Sequence, residues 1–70
     1  MAPRLVVNGK EARRLRNEAK LTQQIAAVQL EVSVSTLRRI ENGSESVHLS
    51  TLGKIAAFYE VEPAELLTRA

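Results

Sequence analysis

The chain of 70 residues contains no cysteine, no tryptophan and only one histidine. Without cysteine it forms no disulfide, and one histidine cannot complete the ligand sets of structural zinc sites. Aspartate is absent too, so the usual partners of a catalytic histidine are missing. No apolar run approaches the roughly 20 residues of a membrane span, and the N-terminal run is too short for a secretory signal. We therefore expect a cytoplasmic protein with no enzymatic activity, cofactor, metal or membrane contact.

The small size and the uneven charge restrict the remaining classes. A chain this short forms one domain at most and buries only about 60% of the surface that its unfolded form exposes, so helix packing and self-association must supply its stability. Residues 1–42 carry eight basic and four acidic side chains, whereas residues 43–70 carry two and four. A basic front half suits contact with a polyanion, although a solvated helix face can show the same imbalance.

The most informative segment is 21–43, where two short amphipathic helices flank a tight turn. Thr22 and Ser33 are of the residue types that cap helix N-termini. Leu37 and Ile40 mark the inward side of the second helix, and a glycine ends it. This is the layout of a helix-turn-helix, whose second helix lies in the DNA major groove.

Three further helices and an N-terminal arm account for the rest of the chain. The first helix should run from Asn8 to about Ala19, the fourth from about Ser50 to Tyr59, and a last short helix should begin near Pro63. Residues 1–7 form the arm and residues 8–70 the domain. The inward positions are Ala12, Leu15, Ala19, Ala26, Ala27, Leu30, Val32, Leu37, Ile40, Leu52, Ile55, Ala56, Tyr59, Leu66 and Leu67.

Several apolar residues fall outside this inward set. Three of them are consecutive on the arm; they could pack on the domain's own core, pair as a β-ribbon with the arm of a second subunit, or fray. Two others share one face of the second helix, where they either widen the core or form a partner surface. The candidate dimer or partner surface consists of Leu5, Val6, Val7, Ile25, Val28 and Phe58.

From about Asn8 to Leu67 the chain resembles the Cro/C1-type helix-turn-helix family, the xenobiotic-response-element-like repressors. The most specific matches are Leu15-Arg16, Leu21-Thr22-Gln23, Ala27, Leu30, Val32-Ser33, Ser35-Thr36, Ile40-Glu41-Asn42-Gly43, Thr51-Leu52 and Lys54-Ile55-Ala56. The resemblance implies an all-α, compact five-helix, lambda-repressor-like domain with its helix-turn-helix at about 22–42. It also implies a sequence-specific regulator that binds double-stranded DNA, and a homodimeric repressor on a palindromic operator is the first hypothesis.

By this resemblance, the helix that begins at Ser33 is the recognition helix. The implied base contacts are Val34, Ser35, Thr36, Arg38 and Arg39. The implied phosphate contacts are Thr22, Gln23, Gln24, Ser33, Asn42 and Ser44. The chemistry is suitable, because helix N-termini attract phosphate and an arginine can hold both acceptors of a guanine. Two alternatives stay open: both arginines only neutralise phosphates, and Gln23 is an ordinary exposed residue.

The resemblance has two further implications inside the fold. Arg16 and Glu41 should form a structural ion pair that fixes the recognition helix; the alternative is an exposed pair of little energetic value. Lys20 and Glu31 stand at two turns where relatives often carry glycine, so either residue would have to adopt a positive φ, which costs of order 1 kcal/mol.

A second functional hypothesis keeps the fold but changes the role. An antitoxin, or another protein-binding regulator of this fold, would bind a protein partner as well as its own promoter. Ile25, Val28 and the arm would then form the contact surface for a toxin or another regulator.

Overall fold

The computed structural model describes residues 5–43 and 47–69. In chain order it has strand β1 (Leu5–Val7), helices α1 (Gly9–Glu18), α2 (Gln23–Leu30), α3 (Val34–Glu41) and α4 (Leu49–Phe58), a 3₁₀ turn (Pro63–Leu66) and strand β2 (Leu67–Arg69). No helix in these two ranges combines the length and the apolar character needed to cross a bilayer.

Side-chain caps fix the starts of the first three helices as the sequence predicted. The Asn8 side chain accepts a hydrogen bond from the backbone N–H of Glu11 at 3.2 Å. Thr22 and Ser33 accept in the same way from residues 25 and 36, at 3.1 and 3.0 Å. Each cap satisfies one backbone donor that the helix leaves open. The fourth helix begins at Leu49, one residue before the expected start, and the preceding His48 makes no side-chain cap.

The predicted fifth helix is instead a 3₁₀ turn of four residues followed by a strand. Pro63 starts it as expected, and Glu62 and Glu65 cap each other's backbone N–H groups. The turn stops at Leu66, whose side chain is fully buried. From there the chain extends to pair with β1, so the domain is mostly helical and not all-α.

The described part of the N-terminal arm, residues 5–7, therefore pairs with a strand of its own chain, and the rest of the predicted arm lies outside the described residues. Strands β1 and β2 are antiparallel, in the register Leu5↔Arg69, Val6↔Thr68 and Val7↔Leu67. The backbone N–H of Asn8 continues the pairing with a bond of 2.7 Å to the carbonyl of Leu66. Val7 is buried in the domain's own core, which was the first of the three alternatives for the arm.

The core lies between α1, α2, α3, α4 and the terminal segments. Its buried members are Val7, Ala12, Leu15, Ala26, Ala27, Leu30, Leu37, Ile40, Leu52, Ile55, Ala56 and Leu66. Ala19, expected to face inward, is exposed because α1 ends at Glu18 and Ala19 is its C-cap. Leu37 and Ile40, both fully buried, hold the inner side of α3 against the other helices. The outer side of α3 is thereby fixed in solvent.

Within residues 5–43 and 47–69, three turns contain a non-glycine residue with positive φ. Lys20 and Glu31, the two predicted positions, have φ of 60° and 59°. Glu60 after α4 has φ of 57°, a third case that the sequence analysis missed. Left-handed backbone is unfavourable for residues with a Cβ, so each turn carries some strain.

Candidate nucleic-acid interface

The outer side of α3 carries short polar and basic side chains. Ser35, Arg38 and Arg39 are exposed, while Val34 and Thr36 are half-buried. Residues four apart on a helix share a face, so Ser35 and Arg39 lie together, away from the buried side. This face is free of apolar residues and offers donors that suit the edges of bases.

The hydroxyl of Ser33, which caps α3, already donates one hydrogen bond and accepts another within the first turn. Ser33 Oγ accepts from the backbone N–H of Thr36 and donates to Thr36 Oγ1 at 2.9 Å. The backbone N–H groups of Val34 and Ser35 have no partner within the helix. A phosphate near Ser33 would therefore bind these N–H groups more readily than the hydroxyl.

The N-terminus of α2 lies beside α3, and the two enclose a shallow cleft of about 410 Å³. Its lining residues are Arg16, Thr22, Gln23, Gln24, Val34 and Arg38. Thr22 and Gln24 are exposed here, as a phosphate contact requires. The predicted phosphate ligands of α2 thus share one surface with two of the predicted base contacts, Val34 and Arg38.

Gln23 is not the ordinary exposed residue that was the alternative to a phosphate contact. It is half-buried, and its amide Nε2 donates to Glu41 Oε1 at 3.1 Å. One amide hydrogen is thereby committed to the fold, and the other remains for the cleft. Sequence reasoning missed this bond because nothing local connects residue 23 with residue 41.

Glu41, the last residue of α3, is buried with 4% of its surface exposed. Arg16 Nε donates to its Oε2 at 2.7 Å, and Arg16 Nη2 donates to its Oε1 at 3.1 Å. Arg16 Nη1 donates to the carbonyl of Leu21 at 2.9 Å. The geometry is that of a bidentate, charge-assisted pair.

Several groups act on the pKa of Glu41. Burial alone would raise it, but the hydrogen bonds from Arg16 and Gln23 and the positive charges of Arg16 and Arg13 outweigh that effect and lower it. Arg13 Nε lies 3.5 Å from Glu41 Oε1, a contact that the sequence analysis did not predict. Glu41 is consequently ionised in the folded protein at neutral pH.

The end of α3 and the following loop hold the remaining predicted phosphate ligands. Asn42 is exposed, and its Oδ1 accepts from Arg13 Nη2 at 3.4 Å. This bond turns the amide nitrogen of Asn42 away from Arg13, so the nitrogen can donate to another group. The predicted contact at Ser44 lies outside the described residues.

The comparisons with known proteins agree with this geometry. A helix-turn-helix domain family matches residues 9–68. The crystal structure of the restriction-modification controller protein C.AhdI from Aeromonas hydrophila superposes with a TM-score of 0.73 and 31% sequence identity, covering 83% of this chain and 88% of the controller. The chain belongs to the Cro/C1-type helix-turn-helix family. It is a DNA-binding regulator of transcription. No curated protein sequence matches it.

Three of the six residues predicted for the partner surface of this Cro/C1-type domain are exposed. Leu5, Ile25 and Val28 are 60%, 49% and 77% exposed. Val6 and Phe58 are half-buried, and Val7 belongs to the core. Leu49, which the sequence analysis did not single out, is the most exposed large apolar residue of the described segments, at 84%. The sequence did not predict the exposure of Leu49, because the fourth helix was expected to begin one residue later, at about Ser50.

Proposed function

We propose that this protein is a repressor that binds a palindromic DNA operator as a homodimer, with α3 as its recognition helix. The observation that carries the proposal is the solvent-exposed face of Ser35 and Arg39, held outward by the burial of Leu37 and Ile40. A helix presented in this way can enter the major groove with its first turns against base edges.

The proposed contacts divide into two groups. Ser35 and Arg39, with Val34 and Thr36 at the flanks, would face bases. Arginine at such a position favours guanine, because two donors match its O6 and N7. The phosphate group would consist of Thr22, Gln23 and Gln24 of α2, the first turn of α3 at Ser33, and Asn42 with Ser44 after α3.

Homodimerisation is supported by the exposed apolar side chains Leu5, Ile25, Val28 and Leu49. A domain this small also gains stability from self-association. Two copies would place two α3 helices about 34 Å apart, one turn of DNA, and would require a palindromic site. The similarity to a restriction-modification controller protein supports a controller role for this chain too.

Selection from random duplex DNA, followed by sedimentation of the recovered complex, tests the proposal. We expect one palindromic sequence to be enriched, with two protein chains bound to each duplex. Transcription from a promoter that carries this sequence should fall when the protein is supplied. Recovery of no preferred duplex would contradict sequence-specific binding, and one chain per duplex would contradict the homodimer. A rise in transcription would contradict repression.

The protein-binding hypothesis keeps one supporting observation, the exposed pair Ile25 and Val28 on α2. If this pair binds a foreign protein, Val28→Ser should abolish co-purification of that partner and leave the affinity for the selected duplex unchanged. If it binds a second copy, the same substitution should weaken DNA binding and dimerisation together.

A further inference from the structure

The two adjacent arginines of α3 face different surroundings. Arg38 lines the cleft beside the first turn of α2, together with Thr22 and Gln24. Arg39 does not line it, because successive residues of a helix point about 100° apart. Arg39 lies beside Ser35 on the exposed side of α3, outside the cleft.

The cleft beside Arg38 contains many hydrogen-bond donors, and two of the residues that line it, Arg16 and Arg38, are positively charged. Arg16, its other arginine, uses Nε and Nη2 for Glu41 and Nη1 for a backbone carbonyl. Its charge is therefore largely balanced. Arg38 is exposed, and among residues 5–43 and 47–69 no carboxylate forms a salt bridge with it. Within the part of the chain that the structure describes, Arg38 thus supplies the uncompensated positive charge of the cleft.

The remaining groups of the cleft also favour an anion over a base edge. The N–H groups of Gln23 and Gln24 open the first turn of α2 and have no partner in the helix. The amide of Gln23 is held by Glu41 at 3.1 Å, so its remaining N–H is already oriented. A base edge is neutral, whereas a phosphate is an anion, so the positive end of the α2 dipole and the charge of Arg38 favour the phosphate.

We propose that Arg38 is a phosphate-binding residue that acts with the first turn of α2, and that Arg39 alone of the two arginines determines sequence preference. The inference rests on the proposed DNA-binding function and refines it. Arg38 then contributes equally on every DNA sequence and adds to the salt dependence of binding. Arg39 contributes on one sequence only.

Arg38→Gln and Arg39→Gln separate these roles, since both side chains are exposed and the fold should tolerate either change. Affinity is measured by fluorescence anisotropy at several salt concentrations, on the selected duplex and on a scrambled duplex of equal composition. Arg38→Gln should weaken binding to both duplexes by about tenfold, and should reduce the slope of log affinity against log salt by about one. Arg39→Gln should weaken binding to the selected duplex by about 10- to 100-fold and relax one base position, with little effect on the scrambled duplex.

Arg14→Gln is the control for loss of one positive charge. Arg14 is paired on the surface of α1 with Glu11 and Glu18, at 2.6 and 2.8 Å, so its replacement should leave the salt slope nearly unchanged. If Arg38→Gln relaxes a base position while the slope stays constant, the assignment of Arg38 is wrong. If the unmodified protein prefers no duplex, sequence-specific function fails, while the salt slope on scrambled DNA still tests Arg38.

Discussion

The carboxylate of Glu41 at the end of α3 is bound by both Nε and Nη2 of Arg16 in α1, at 2.7 and 3.1 Å. The same carboxylate accepts from Gln23 at the start of α2. One buried anion therefore joins α3 to both preceding helices. The position of α3 and the orientation of the cleft amide depend on the same contact.

Removal of this anion should destabilise the whole domain. Glu41→Ala leaves Arg16 without its partner in a largely buried place, so the free energy of unfolding should fall by about 3–5 kcal/mol. Urea unfolding followed by circular dichroism measures the change. Glu18→Ala is the matched control, because Glu18 pairs with Arg14 at the exposed surface and such pairs contribute little. Equal stability of the two variants would contradict the structural role of Glu41.

The pKa of Glu41 predicts how stability depends on pH. Its pKa is lower in the folded protein than in the unfolded chain, so at a given acidic pH the unfolded chain binds more protons than the folded state, and acid favours unfolding. The stabilisation is complete above the ordinary glutamate value of about 4.5 and is lost below it, as pH falls through the lowered pKa. Acid unfolding of Glu41→Gln should lack this component. A constant stability difference between the two proteins from pH 7 to pH 3 would disprove the linkage.

The left-handed turn at Glu31 should be relieved by glycine. Glu31→Gly removes the Cβ from a residue with φ of 59°, and should raise the free energy of unfolding by about 1 kcal/mol. The weak contact of Glu31 with Lys54, at 3.6 Å and well exposed, offsets little of this gain. Glu31→Ala loses the same contact but keeps the Cβ, so thermal unfolding should separate the two variants. A glycine variant less stable than the alanine variant would show that strain at this turn is negligible.

Local signals explain why much of the fold was predictable. The caps at Asn8, Thr22 and Ser33 act within three residues, so the sequence around each one is sufficient. Strand β2 depends on a partner some 60 residues away, at β1. Leu67 and Thr68 carry no pattern that separates a strand from a fraying helix end.

The candidate site also combines features that follow from local sequence with features that depend on distant residues. The exposed face of α3 follows from the spacing of Leu37 and Ile40. Two other features depend on how α2 and α3 pack together: the hydrogen bond from Gln23 to Glu41 and the position of Arg38 beside α2. Sequence periodicity gives the face of one helix but not the neighbour that the face meets.

The packing of α1 on α3 provides the last test, through two glycines in different environments. A Cβ at Gly9 would lie 2.7 Å from the carbonyl oxygen of Ile40 and closer still to that of Glu41. Gly9→Ala should therefore force α1 away from α3 and cost about 1–3 kcal/mol. Gly53 in α4 has open space around its Cβ position, so Gly53→Ala should stabilise the domain by about 1 kcal/mol through helix propensity alone. Denaturant unfolding of both variants measures the contrast, and a tolerated alanine at position 9 would mean that α1 and α3 are not in close backbone contact.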